Sequence, residues 1–147
     1  MKTFDHVKLN TDLPNITTET IKGKRYYLTP DGNKYPSITT VLSGRNKEGL
    51  VKWRQNVGND VANQIMREAA KRGTAVHTLV ENYLNNEELS KQDVLPVALF
   101  GMLKPELDNI NNIRIQEGGL YSDTYKIAGR VDCIADYKGV LSVIDFK

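Results

Sequence analysis

The closing stretch, GRVDCIADYKGVLSVIDFK, reads as two β-strands folded about a tight turn. Val, Ile, Cys, Ala and Phe fill both arms, and such residues suit a pleated, half-buried surface. Lys138-Gly139 supplies the turn. With a two-residue loop, Tyr137 faces Val140, and that pairing sets the register back along both strands. Asp132 then stands opposite Asp145. Lys147 shares a face with Asp145, because side chains two apart in a strand point the same way. The opposite face carries Val131, Cys133, Ala135 and Tyr137 against Val140, Ser142, Ile144 and Phe146, and is expected to be core. A four-residue loop keeps this pairing; a three-residue loop with a bulge shifts it by one residue.

Directly opposed residues have Cβ atoms roughly 5 Å apart. Two carboxylates at that distance repel by roughly 3 kcal/mol at an effective dielectric near 20. On a half-buried face this needs compensation, from a shared proton or from a divalent cation with oxygen ligands such as Mg2+ or Mn2+. Lys147 gives the cation reading a reaction, since an ammonium there can orient a water or stabilise charge building on a phosphate. If the strand ends face solvent instead, Lys147 is a surface ion-pair partner and no site is implied. The rest of the chain decides between these.

Upstream, KRYYLTPDGNKYPSITT holds Pro-Asp-Gly-Asn between two Tyr- and Thr-containing arms, a hairpin signal. Residues 1–22 are polar, weakly patterned and expected to be extended. Ser37 is placed to cap a short helix through Leu42, with Gly44 as its stop. The pattern is helical from Lys47 to Leu84, with Gly58 and Gly73 as breaks or kinks, and helical again over 92–112, interrupted by Pro105. Strands follow in IRIQEGGLYS, YKIAGRVDCIADY and VLSVIDFK. Helices followed by an antiparallel three-stranded meander give an α+β fold. Its expected division is an extension and hairpin arm over 1–36 and one domain over 37–147.

Composition narrows the chemistry. The net charge of +2 provides no global basic field, so any nucleic-acid contact must come from a local patch. The single Cys133 excludes an internal disulfide framework and a four-cysteine iron–sulfur cluster. No apolar run approaches the roughly 20 residues that span a bilayer, and MKTFDHVKLNTDL lacks the apolar core of a signal peptide. A cytoplasmic, non-secreted protein is expected.

Two further stretches matter. In AAKRGTAVHTLVENYLNN, Val76, Leu79, Val80, Tyr83 and Leu84 form an apolar helical stripe, with His77 and Glu81 one turn apart beside it. A lone histidine at the edge of such a stripe is more often a packing residue than a ligand. Glu117 sits inside the first strand of the meander, where a carboxylate is again out of place. Taken together, RGTAVH, Glu117, GRVD and IDFK resemble the PD-(D/E)xK nuclease superfamily, in its RecB-like exonuclease branch. The likeness is nearest to phage exonucleases akin to the mitochondrial genome maintenance exonuclease. YPSITTVLS and LVKWRQNVG are similar to the usual lead-in of that group, so the resemblance covers roughly Tyr35 to Lys147.

The resemblance implies the αβββ part of a restriction-endonuclease-like core and a metal-dependent nuclease. It makes His77, Asp132 and Asp145 metal ligands, with the Phe146 carbonyl as a further one. Lys147 becomes the catalytic lysine and Glu117 an accessory acid near the metals. A nitrogen ligand suits Mn2+ somewhat better than Mg2+. The family fold continues past the D-x-K strand with a helix, usually carrying Q-x-x-x-Y, and another strand. A C-terminally truncated piece lacking both is therefore expected.

The implied function is hydrolysis of DNA from its ends, on single strands, in DNA repair and genome maintenance, in a phage-encoded enzyme acting in the host cytoplasm. Lys52, Arg54, Arg67, Lys71, Arg72 and Arg130 are candidates for backbone contacts, although REAAKRG also reads as a solvated helix face. Trp53 is a stacking platform or, in the reading favoured here, a core anchor. The rival is a catalytically incomplete fragment that only binds DNA or a protein. A retaining glycosidase built on the two carboxylates ranks last, because it leaves His77 and Lys147 idle.

Overall fold

A computed structural model of the chain describes residues 2–45 and 47–147. Its first sheet is antiparallel, with strands β1 (Thr17–Ile21), β2 (Lys24–Leu28) and β3 (Lys34–Pro36) in that order. Lys22 and Gly23 join β1 to β2 with φ of +50° and +75°, the two positive values a type I′ hairpin turn requires. The expected Pro-Asp-Gly-Asn turn joins β2 to β3. Its backbone closes by Thr29 N–H donating to the Asn33 carbonyl at 2.8 Å and Gly32 N–H to the Thr29 carbonyl at 3.0 Å. Ser37 then caps α1 (Ile38–Leu42), its hydroxyl accepting the Thr40 N–H at 3.0 Å.

Gly58, at φ +86°, separates α2 (Glu48–Val57) from α3 (Asn59–Leu84). Gly73 breaks nothing. It lies within the 26-residue α3, where a lone glycine costs only about 1 kcal/mol. The fourth helix, α4 (Val94–Leu107), ends two residues after Pro105, so the helix expected to reach 112 stops short. Asn109, Asn111 and Asn112 compete for backbone hydrogen bonds, and the buried Ile110 already opens the next strand.

The second sheet is the expected meander, β4 (Ile110–Ser122), β5 (Ile127–Tyr137) and β6 (Val140–Ile144), antiparallel in that order. Tyr137 pairs with Val140 and Cys133 with Ile144, the register of a two-residue turn. The ladder ends at Ile144, so residues 145–147 continue the line without strand pairing. A bulge shifts the β4–β5 register between Asn111 and Ile115. There Asn112 Nδ2 and Arg114 Nη1 donate to Asp136 at 2.9 and 2.8 Å.

Those two donors, Asn112 first, hold the Asp136 carboxyl below its usual range. The folded value lies below the unfolded one, near 3.9. The stabilisation is therefore complete above that pH and is lost as pH falls through the folded value. In urea melts between about pH 5 and pH 2, the stability gap between the wild type and Asp136→Asn should shrink as pH falls. A gap independent of pH would refute this account.

One face of α3 supplies Val76, Leu79, Val80, Tyr83 and Leu84 to the core, against Phe100, Leu107, Ile110, Ile113, Cys133 and Ala135. Tyr137, Ile144 and Phe146 pack at its edge as anticipated, whereas Val140 is 65% exposed. It sits at the hairpin tip of an edge strand, outside the main core cluster. Leu141 and Val143 on the other face of β6 are exposed as well.

The core also contains Phe4, from the segment that patterning left as a polar extension. Its ring meets Tyr83 edge-on at 5.1 Å. Asn86 brackets its backbone, accepting the Phe4 N–H at 2.7 Å and donating to its carbonyl at 2.9 Å. Val7 N–H and the Asp5 carbonyl pair with Ile113 in a short parallel bridge. Further on, Ile16 crosses Gly119 so closely that a Cβ on that glycine would lie 2.6 Å from its side chain. Tyr27 and Tyr35 bury against Ala128, seating the first sheet on β5. Among the described residues no helix is long and apolar enough to cross a membrane.

Candidate metal centre

His77 lies on α3 at the flank of the buried stripe, between Val76 and the Leu79–Val80 pair, and remains partly accessible. Its Nε2 stands 2.9 Å from the Phe146 carbonyl oxygen. Its Nδ1 lies 3.5 Å from Glu117 Oε1 and 4.0 Å from Asp132 Oδ2. His77, Glu117 and Asp132 each offer a ligand atom, all within 4.8 Å of one another. A helix, the first strand of the meander and the second thus converge on one point beside the core.

Asp132 is the most enclosed of the carboxylates. Burial raises its pKa, and the adjoining Asp145 carboxyl adds to the rise, while the Phe146 N–H donating at 2.9 Å opposes it. Asp145 is shifted down, first by its hydrogen bond with Asp132 and then by Lys147. The two carboxyls therefore shift in opposite directions, Asp132 up and Asp145 down. Asp145 is 58% exposed on its side chain and Lys147 is 88% exposed, with 3.2 Å between the ammonium and the carboxylate. Strand pairing stops at Cys133–Ile144, and just beyond it the Asp132 and Asp145 carboxyls adjoin, with Lys147 outermost.

Glu117 adopts φ +49°, a left-handed backbone that costs an L-residue about 1–2 kcal/mol. Such strain gathers at functional sites, where surrounding contacts hold it in place. Comparing Glu117→Gly with Glu117→Ala isolates the backbone, because both lose the carboxylate. In thermal melts the glycine variant should be the more stable by about 1 kcal/mol, the reverse of the usual order within a strand. Alanine proving the more stable would show that the backbone is unstrained.

The donor set can be tested against a metal. Two ligands on neighbouring corners of a six-coordinate ion at about 2.1 Å lie about 3 Å apart, and the His77 Nδ1–Glu117 and Nδ1–Asp132 separations of 3.5 and 4.0 Å are somewhat wider. Carboxylate oxygens with one imidazole suit Mg2+ or Mn2+. Cys133 takes no part. It is buried in the core, and burial pushes its thiol up to about 11. The residues present fit a hard divalent cation. Compared with the expected ligands, Glu117 moves from accessory acid into the cluster, and Asp145 stands beside it.

The basic candidates scatter. Arg130 reaches the cluster, its Nε lying 3.1 Å from Glu117 Oε2 and donating to the Glu117 carbonyl at 3.1 Å. Lys71 and Arg72 line a groove of about 480 Å3 with Gln92, Asp93, Leu95 and Pro96. Arg72 is five residues from His77, about 140° around the helix, so this groove lies off the His77 face. Arg54 ties α2 to α3 through Asn63 and Met66. Trp53 is half-buried, and Lys52 and Arg67 are exposed. Sequence reasoning missed the contact between Arg130 and Glu117. The contact depends on the β4–β5 register, which places Arg130 across from Gly119, and no pattern of residue types gives that register.

The fold and the cluster define an α+β protein with a histidine–carboxylate cluster where α3 meets the middle of β4 and β5. No family model matches the chain. It is similar to human "Mitochondrial genome maintenance exonuclease 1", 26% identical over 126 residues, covering 78% of this chain and 37% of that protein. The mouse protein of the same name is 25% identical over 125 residues, with the same coverage. The chain thus spans little more than a third of the length of these curated relatives. Both relatives are named as exonucleases of genome maintenance.

Proposed function

We propose that this chain carries the metal-binding centre of a PD-(D/E)xK-type DNA exonuclease that hydrolyses single strands from their ends. The observation that carries the reading is the convergence of His77, Glu117 and Asp132 within 4.8 Å, with the Phe146 carbonyl beside His77 and the Asp145–Lys147 pair adjoining Asp132.

His77 through Nδ1, Asp132 and Glu117 would hold Mg2+ or Mn2+, with Asp145 at the rim and the Phe146 carbonyl orienting the His77 ring from its Nε2 side. The cation supplies Lewis-acid polarisation of a phosphoryl oxygen and an activated water. Asp132 would take this role as a carboxylate, its repulsion with Asp145 offset by the charge of the cation. Asp145 keeps the Lys147 ammonium at the open side, where it meets a phosphate arriving from solvent and neutralises charge as the P–O bond breaks. The core beneath His77 fixes its ring on α3, so the nitrogen side of the centre stays rigid.

The test uses the purified chain with end-labelled linear and circular single-stranded DNA. Linear DNA should shorten with Mn2+ or Mg2+, stop shortening with excess chelator and resume when metal is restored, while circles survive. Digestion that is indifferent to chelator would overturn the reading. A second reading, DNA binding without turnover, is favoured by the high exposure of Lys147. It predicts metal-dependent retention of linear DNA with no shortening.

A further inference from the structure

We infer that Arg130 is a positioning residue: it grips Glu117 by both backbone and side chain, and so presents one chosen oxygen of that carboxylate to the centre. The inference rests on the metal-binding reading and deepens it.

Three observations carry it. First, the Arg130 Nε contacts both the Glu117 carbonyl and Oε2, each at 3.1 Å. Second, this leaves Oε1 as the oxygen facing His77, at 3.5 Å. Third, Glu117 holds a left-handed backbone that a strand does not ordinarily adopt, and the carbonyl Arg130 grips belongs to that same residue. A guanidinium suits the task because its donors are fixed in a plane. Arg130 itself is 61% exposed on its side chain, so its replacement empties no core space.

The sign of the effect separates positioning from simple charge. A cation near the centre repels another cation. Acting through charge alone, Arg130 would weaken metal binding, and its neutralisation would tighten it. Acting through Glu117, its removal must loosen binding, as the loss of partners that orient ligands commonly does by ten- to a hundredfold.

The experiment is Mn2+ titration calorimetry on the full chain, compared among the wild type, Arg130→Gln, Arg130→Lys, Glu117→Gln and the double variant Arg130→Gln/Glu117→Gln. Arg130→Gln should weaken Mn2+ binding about tenfold. Arg130→Lys should recover part of the loss, since an ammonium can reach the carboxylate but cannot reproduce the planar grip. The double variant should bind no worse than Glu117→Gln alone. Thermal melts run in parallel confirm that each variant is folded; if Arg130→Gln is not, Arg130→Met takes its place. Unchanged or tighter binding in the neutral variant, with Glu117→Gln still weakened, overturns the positioning role and leaves the metal centre standing. A wild type that takes up no Mn2+ overturns both.

Discussion

Asp132→Asn should abolish metal-dependent hydrolysis while leaving the fold intact. Asp132 is the hub of the centre: its Oδ2 lies 4.0 Å from His77 Nδ1 and accepts the Phe146 N–H at 2.9 Å, and its carboxyl adjoins Asp145. Asparagine has the same shape and can still accept that N–H, so the link between β5 and the segment after β6 survives. What disappears is the negative charge that a divalent ion requires. Even residues that only orient metal ligands cost ten- to a hundredfold when lost. Loss of a ligand should therefore lower the rate by at least about a hundredfold. Burial already disfavours the charged form of Asp132, so the neutral variant should melt no lower than the wild type. Release of labelled nucleotides and a thermal melt check both halves. Activity within a few-fold of wild type would remove Asp132 from the chemistry, and with it the proposed function.

Phe4→Ala should be among the most damaging substitutions to stability. Phe4 is 2% exposed and belongs to the same buried cluster as Leu79, Leu84 and Ile110. Truncating a buried phenylalanine costs about 3–5 kcal/mol, from lost transfer energy and the cavity left behind. For a domain of this size that corresponds to a fall in melting temperature of roughly 10 °C. The edge-on contact with Tyr83 is lost in the same change. Asn86 would still bracket the backbone, so the chain path need not change. A melting temperature within about 2 °C of wild type would show that residues 2–7 merely lie against the domain.

These two residues mark the limits of what could be read in advance. The neighbourhood of Asp132 was partly legible because Lys138-Gly139 is a turn that fixes register as far as Cys133–Ile144, one step short of Asp132 and Asp145. Phe4 was not. It stands among polar residues in MKTFDHVKLN, and its place depends on a parallel bridge to Ile113 that leaves no local period. The boundary between α4 and β4 was misplaced because Ile110 and Ile113 satisfy a helical spacing as well as a strand. Lys71 and Arg72 looked close to His77 along the chain, but rotation about α3 separates them. Glu117 was noticed as a carboxylate out of place. Its left-handed backbone and its grip by Arg130 are tertiary facts that no pattern of residue types encodes.

The bridge between the amino-terminal arm and β4 joins residues 106 positions apart, as in the Asp5–Asn111 contact. During synthesis at about 5–20 residues per second, the arm emerges several seconds before its partner exists. Phe4 must wait in solvent through the making of all four helices. Loop closure over so long a span carries a large entropic barrier, and distant pairings of this kind slow folding. The residues around Phe4 are thus among the last to find their places, and a nascent chain of this protein passes through a stage with one aromatic anchor unseated.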